Sequence, residues 1–302
     1  MRRRLPWLVL TTLSLLVLPP TAPASVERGS KLFLWKASSP TTEVYLFGSI
    51  HLGKKEFYPL AKEIEAAFER SKFLVVEADE SKYDAGKLQQ LGLEHGLYGP
   101  DDSLSKHASP ETMKALGALC EGLGIPTASA ERMKPWLLSL TLSSLTLIKQ
   151  GYSPDLGIDR HFTRAAKDKK EILELESMEY QIKLLAGLSE ELQVKFLELT
   201  VEEAANAKER MEKIVGAWSK GDTQLLEDEM LKKRAAKNAA QAEFQAKIID
   251  ERNVAMTKKV GEYLKTKDVY FVVVGAAHLI GEKGIVRLLE KDGFKVEQQE
   301  SN

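Results

Sequence analysis

The sequence predicts a mixed α/β fold: a mixed, largely parallel central sheet flanked by helices, with a large helical elaboration. Three observations predict it. Short apolar runs rich in Val, KFLVVE at 72–77 and VYFVVV at 269–274, have the length and composition of buried strands. The amphipathic stretch 59–71 leads into the first of these from another apolar run, the strand–helix–strand order of a parallel crossover. Helix formers dominate 110–151 and 178–265, and the second stretch is sparse in Gly, Pro and β-branched residues.

The elements follow in chain order. Residues 1–24 combine Arg2, Arg3 and Arg4, an uncharged apolar run over 7–18, and a small-x-small end at Ala22-Pro23-Ala24. This is the pattern of a secretory signal peptide, and cleavage is expected after Ala24. An uncleaved anchor is the competing reading, but the run is short for a membrane span. The lone cysteine, Cys120, lies far downstream, so no cysteine is placed to take a lipid anchor. Residues 25–302 then form one domain, exported to the periplasm or secreted, with no stable membrane anchor after cleavage. Segments 32–35 and 43–47, separated by Ala37-Ser38-Ser39-Pro40-Thr41, read as a hairpin with a longer loop. The helix at 59–71 leads to the strand at 72–77, implying a parallel pair. A weaker strand is expected at 170–175, the strongest at 269–274, a helix at 285–292, and a last short strand from 294. Helical insertions are expected at about 81–168 and 178–266. Their mixed-sign charges read as solvated helix faces rather than a binding surface.

Composition removes several function classes. With 43% hydrophobic and 29% charged residues, the 302-residue chain can bury a sizeable core. A formal net charge of -1 leaves no basic excess to neutralise phosphates, so no nucleic-acid partner is expected. One cysteine excludes an internal disulfide and any multi-Cys zinc site. No H-E-x-x-H, no G-x-S-x-G and no dinucleotide or phosphate-loop glycine pattern is present.

Chemistry gathers in two similar segments. Val44-Tyr45-Leu46-Phe47-Gly48-Ser49-Ile50-His51-Leu52 and Phe271-Val272-Val273-Val274-Gly275-Ala276-Ala277-His278-Leu279 are each an apolar strand followed by Gly-x-x-His-Leu. Glu77 ends a third strand. In open α/β sheets, ligands bind beyond the carboxyl ends of the strands. His51, Glu77 and His278 are therefore expected to converge at one sheet edge. Two imidazoles and a carboxylate suit a divalent transition metal such as Mn²⁺, Co²⁺ or Zn²⁺. Glu77 as third ligand and Glu77 as general base both stand. The competing reading is that each histidine only satisfies backbone groups at a strand end.

The chain resembles the TraB/GumN family, which includes the Tiki metalloproteases and is distantly similar to erythromycin esterases and ChaN-like haem-binding proteins. The resemblance rests on Leu34-Trp35, Tyr45 through His51, Val76-Glu77-Ala78-Asp79, Lys134-Pro135-Trp136, Gly157-Ile158-Asp159, Leu175-Glu176, Arg252-Asn253, and the tail 271–289 with Gly275, His278, Gly281 and Gly284. It implies a mixed α/β fold and, in the Tiki branch, metal-dependent hydrolysis with His51, His278 and Glu77 as the site. It also draws in Glu176, Asp159, Arg252 and Asn253. Glu176 reads as another carboxylate at the same edge, or as a solvated helix-start residue. Arg252 clamps a carboxylate or stabilises an oxyanion, or forms a surface ion pair. Asp159 orients a ligand histidine, or sits in an early helical turn favoured by the dipole. No role is expected for His95, His107 or His161.

The expected function is an exported metal-dependent hydrolase, most plausibly a metallopeptidase with a peptide or protein substrate. Three alternatives stand beside it: a haem- or iron-binding protein without turnover, a regulator that sequesters a peptide, and a metal-independent ester hydrolase.

Overall fold

The computed structural model describes residues 29–236 and 238–302. The expected signal peptide, 1–24, lies outside them. Six strands form one sheet: β1 (Lys31–Ser38), β2 (Glu43–Ser49), β3 (Phe73–Val76), β4 (Glu171–Glu174), β5 (Tyr270–Gly275) and β6 (Lys295–Glu300). Their order is β4-β3-β5-β2-β1-β6. The pairs β4/β3, β3/β5 and β5/β2 are parallel; β2/β1 and β1/β6 are antiparallel. The sheet is thus mixed and mostly parallel, with helices packed around it.

The expected hairpin forms as β1 and β2, with Leu34 opposite Phe47 and Trp35 opposite Leu46. One expectation needs correction. β2 and β3 run parallel but are not neighbours, because β5 lies between them and bonds to both. Every residue of β5 is buried. So apolar a strand is best covered at the sheet centre, with a ladder on each edge and helices on each face. β6 has no fully buried residue and carries Lys295, Glu297 and Glu300 along the sheet margin, where charge discourages edge-to-edge association.

The crossover from β2 to β3 is α1 (Lys62–Arg70), whose Ile64, Ala67 and Phe68 form its buried stripe. Between β3 and β4 lie α2 (Ala85–Gly96), α3 (Pro110–Leu123), α4 (Thr127–Arg132), α5 (Pro135–Lys149) and α6 (Ile158–Ala166). α3 starts where Ser109 accepts from the Thr112 N–H with Pro110 in the first turn, and ends at Gly124, whose φ of +73° a side chain would resist. Between β4 and β5 lie α7 (Met178–Ala186), α8 (Glu190–Ala204), α9 (Ala207–Ser219), α10 (Thr223–Glu227), α11 (Lys233–Ala235), α12 (Ala239–Gln245) and α13 (Glu251–Tyr263); α14 (Ile285–Lys291) precedes β6. Single π-helical turns at Asp228–Lys232 and Ala246–Asp250 interrupt the last stretch.

Phe47 and Phe271 of the sheet, Phe68 of α1 and Phe162 of α6 pack ring to ring, with Phe162 4.8 Å from Phe271 and 5.0 Å from Phe68. This packing fixes α6 against the sheet. The helical elaboration has its own core, where Leu104, Leu116, Cys120, Leu138, Leu142 and Leu197 come together. No helix among the described residues is long and apolar enough to cross a membrane.

Candidate functional site

The four parallel strands end side by side. Ser49 pairs with Gly275, and Val76 lies opposite both Val273 and Glu174. His51, Glu77, Glu176 and His278 each follow one of these ends. β5 splits β2 from β3, so the crevice opens where the chain crosses over, the position expected for a ligand in an open sheet.

Gly275 stands at the centre. Its N–H donates to Glu77 Oε1 at 2.5 Å. A Cβ added there would lie 3.1 Å from Glu77 Oε1, 3.5 Å from His51 Nε2 and 3.6 Å from His278 Cδ2. The absent side chain leaves a cradle that these three residues surround.

Each histidine is aimed by a partner on its other nitrogen. Asn253 Nδ2 donates to the Lys283 carbonyl at 2.8 Å, so its Oδ1 faces His278 Nδ1 at 2.6 Å and accepts from it. That arrangement places the His278 proton on Nδ1 and leaves Nε2 with a lone pair, 3.7 Å from Glu77 Oε1. His278 is 4% exposed, and burial lowers its pKa. His51 Nδ1 lies 2.8 Å from Asp159 Oδ2, whose other oxygen accepts from Ser49 Oγ at 2.8 Å. The Asp159 carboxylate pushes His51 up to about 10, although its side chain is 61% exposed at the mouth of the crevice. Asp159 is in the first turn of α6 and also bonds the histidine, so both readings of it describe one residue.

Glycines permit this docking. A Cβ at Gly157 would come within 2.1 Å of the His51 carbonyl oxygen, and one at Gly53 within 1.8 Å of the Leu156 carbonyl oxygen. The loop after β2 can therefore lie directly on the loop before α6, where Gly53 pairs with Ser153 and the Ile158 N–H donates to Ile50 O.

Arg252 lies beneath the crevice. It is 7% exposed. Its Nη2 donates to Glu77 Oε2 at 2.8 Å and Glu176 Oε2 at 2.7 Å, its Nε donates to both Glu176 oxygens, and its Nη1 donates to Ile248 O. Ile248 belongs to the π-helical turn preceding α13. Gln181 Nε2 on α7 also donates to Glu77 and Glu176, at 3.3 and 3.2 Å. Arg252 is thus a buried clamp on two carboxylates, not a surface pair, and unlike Gln181 it does not border the cleft. Burial opposes ionisation of Glu77, but His278, His51, Arg252 and the Gly275 N–H outweigh it and bring the carboxyl down to about 2.

The folded carboxyl titrates below its unfolded value near 4.5, so its stabilisation is present above that pH and is lost as pH falls from 4.5 towards 2. In chelator-treated protein, urea midpoints across this window are expected to fall more steeply for wild type than for Glu77→Gln. Parallel curves would remove Glu77 as the source of the acid sensitivity.

Among the described residues no three His, Cys, Asp or Glu side chains close up into a finished metal cage. The donor set nonetheless fits a divalent transition metal chemically: two imidazole nitrogens and a carboxylate border the Gly275 cradle, and each imidazole is oriented from behind. An ion bound here would displace the proton that Asp159 favours on His51; with both imidazoles then neutral, Glu77, Glu176 and Asp159 outweigh Arg252 by the charge of one such ion.

Sequence reasoning missed Ser49, Gln181, Arg160 and Arg164. Ser49 lies inside the quoted Gly48-Ser49-Ile50-His51 run, so its position was a usable signal. Gln181 carries none, because its partners are remote in sequence. His161 packs on Tyr58, and His107 bonds Asp102 and Glu190; both stand apart from the crevice. The crevice opens into a cleft of about 560 Å³ bordered by His51, Glu77, Arg160, Arg164, Met178 and Gln181, among others.

The pattern of the TraB/PrgY/gumN family matches residues 33–298. The uncharacterized protein YbaP of Escherichia coli (strain K12) is 24% identical over 246 residues, which cover 81% of this chain and 87% of YbaP. The uncharacterized protein YbaP of Shigella flexneri matches with the same figures. No solved structure matches the chain at a significant level.

Proposed function

The chain belongs to the TraB/PrgY/gumN family, and from that premise we propose that it is an exported metal-dependent hydrolase acting on peptide bonds. The observation that carries the proposal is the Gly275 cradle, around which His51, Glu77 and His278 meet at the sheet edge within an open cleft. The resemblance to Tiki metalloproteases favours a peptide or protein substrate, and the signal-like residues 1–24 support export.

In this reading His51 and His278 hold the ion through Nε2, with Glu77 beside them. A bound divalent cation supplies an acidified water and a Lewis acid for the substrate carbonyl. Asp159 and Asn253 set the ring orientations. Glu77, held far below neutral pH, is a poor proton acceptor and serves better as ligand and fixed negative charge. Arg252 is a positioning residue that secures Glu77 and Glu176 from below. A second reading is favoured by the His51–Asp159 pair itself: an exposed histidine kept protonated by a carboxylate is also the arrangement of a proton donor in a metal-independent hydrolase.

Metal content of the purified protein, measured beside a folded His51→Ala/His278→Ala variant, tests the proposal. About one transition-metal ion per wild-type chain and none in the variant is expected, with peptide cleavage on adding Mn²⁺, Co²⁺ or Zn²⁺. If neither protein takes up metal on reconstitution, the proposal fails. Hydrolysis that survives chelation moves the assignment to the His51–Asp159 pair. Stoichiometric haem absorbance without cleavage makes the protein a binding protein.

A further inference from the structure

α6 lines the cleft with Asp159, Arg160, Thr163 and Arg164, facing Glu80, Ser81 and the α7 residues Met178 and Gln181. Nearly every charge on these walls is matched inside the protein. Arg160 pairs with Glu80 at 2.8 Å and Asp155 at 3.1 Å, Asp159 holds His51, and Glu77 is held by Arg252. Arg164 differs. Its Nη2 donates to the Asp155 carbonyl, an uncharged acceptor, at 2.6 Å, and it forms no ion pair among the described residues. Arg164 is exposed and borders the cleft.

We propose that Arg164 forms a subsite for a substrate carboxylate, which makes the cleft selective for acidic peptides or for a peptide's own C-terminus. This rests on reading the cleft as the substrate channel of the proposed hydrolase. Arg164 reaches back along α6 to the Asp155 carbonyl, so its guanidinium lies at the same end of the helix as Asp159 and His51, within reach of a carboxylate close to the bond held at the histidines. A guanidinium presents a planar pair of donors that matches a carboxylate, and a flanking amide in its place would leave that fork unpaired.

Calorimetric titration of the whole protein with acetylated alanine peptides tests this, first without metal and then with Mn²⁺, Co²⁺ or Zn²⁺. One pair carries Asp or Asn and an amidated end. A second pair has only Ala and a free or amidated end. The acid member of one pair is expected to bind roughly tenfold more tightly than its amide partner. Preference in the first pair identifies a side-chain carboxylate; preference in the second identifies a C-terminal one. Arg164→Gln should abolish the preference and leave amide binding unchanged, Arg164→Lys should keep part of it, and about 0.5 M salt should reduce it. The variant's fold is checked by its urea midpoint. Equal binding of acid and amide peptides, a preference that survives Arg164→Gln, or no binding at about millimolar peptide each overturns the subsite. Preference without cleavage keeps the subsite and removes the hydrolase reading. Cleavage without preference does the reverse.

Discussion

Replacing Arg252 with methionine is expected to lower folding stability by about 3–5 kcal/mol, the range for removing one partner of a buried ionic group. The side chains involved are well covered, at 9% for Arg252, 11% for Glu77 and 5% for Glu176. Methionine fills most of the volume but leaves two carboxylates side by side with only Gln181 and the Gly275 N–H donating to them. Two adjacent buried carboxylates resist joint ionisation, so one should take up a proton near neutral pH. The deficit should therefore shrink as pH is lowered from 7 towards 5. Adding Glu176→Gln to the variant should recover part of the loss by removing one charge. Urea unfolding of the three proteins at several pH values reads this directly. A single variant within about 1 kcal/mol of wild type would mean that the clamp carries little of the fold.

The second large effect is expected at Gly275, where an added methyl group acts on the ligand cradle more than on the fold. The backbone there has φ -51° and ψ 137°, which alanine accepts without strain. Its Cβ, however, would occupy the space between Glu77 Oε1, His51 Nε2 and His278 Cδ2. Gly275→Ala is expected to lose metal uptake and any hydrolysis outright while costing about 1–3 kcal/mol of stability, the usual cost of a crowded methyl group. Because both histidines remain in place, this variant separates occupation of the cradle from loss of ligands. Undiminished metal binding by Gly275→Ala would show that the ion, if bound, sits elsewhere.

What could be read in the sequence was what leaves a local trace. The Val-rich run 269–274 reads as a strand because its short length and β-branched content favour a buried strand over a helix, and the two Gly-x-x-His segments put both histidines at strand ends. Adjacency leaves no such trace. The placement of β5 between β2 and β3 follows from which strand most needs covering on both edges, a comparison across the whole chain. Arg252 shows the same divide. Composition around it fits a surface ion pair as well as a buried clamp, and only its burial under Glu77 and Glu176 separates the two. The π-helical turn before α13, whose Ile248 carbonyl receives Arg252 Nη1, has no sequence signature of its own.

The placement of β5 also has a kinetic meaning. β2 and β3 are made early, but the strand that joins them is among the last to be synthesised. Until it inserts, two parallel edges stay open, His51 and Glu77 lack a third partner, and the pairing that completes the sheet spans most of the chain. Such distant pairings form slowly, because the intervening loop must be closed before any contact is gained. A chain cut short before Tyr270 would lack both the sheet's centre and His278. Completion of the sheet and assembly of the His51, Glu77 and His278 cradle around Gly275 are therefore a single late event.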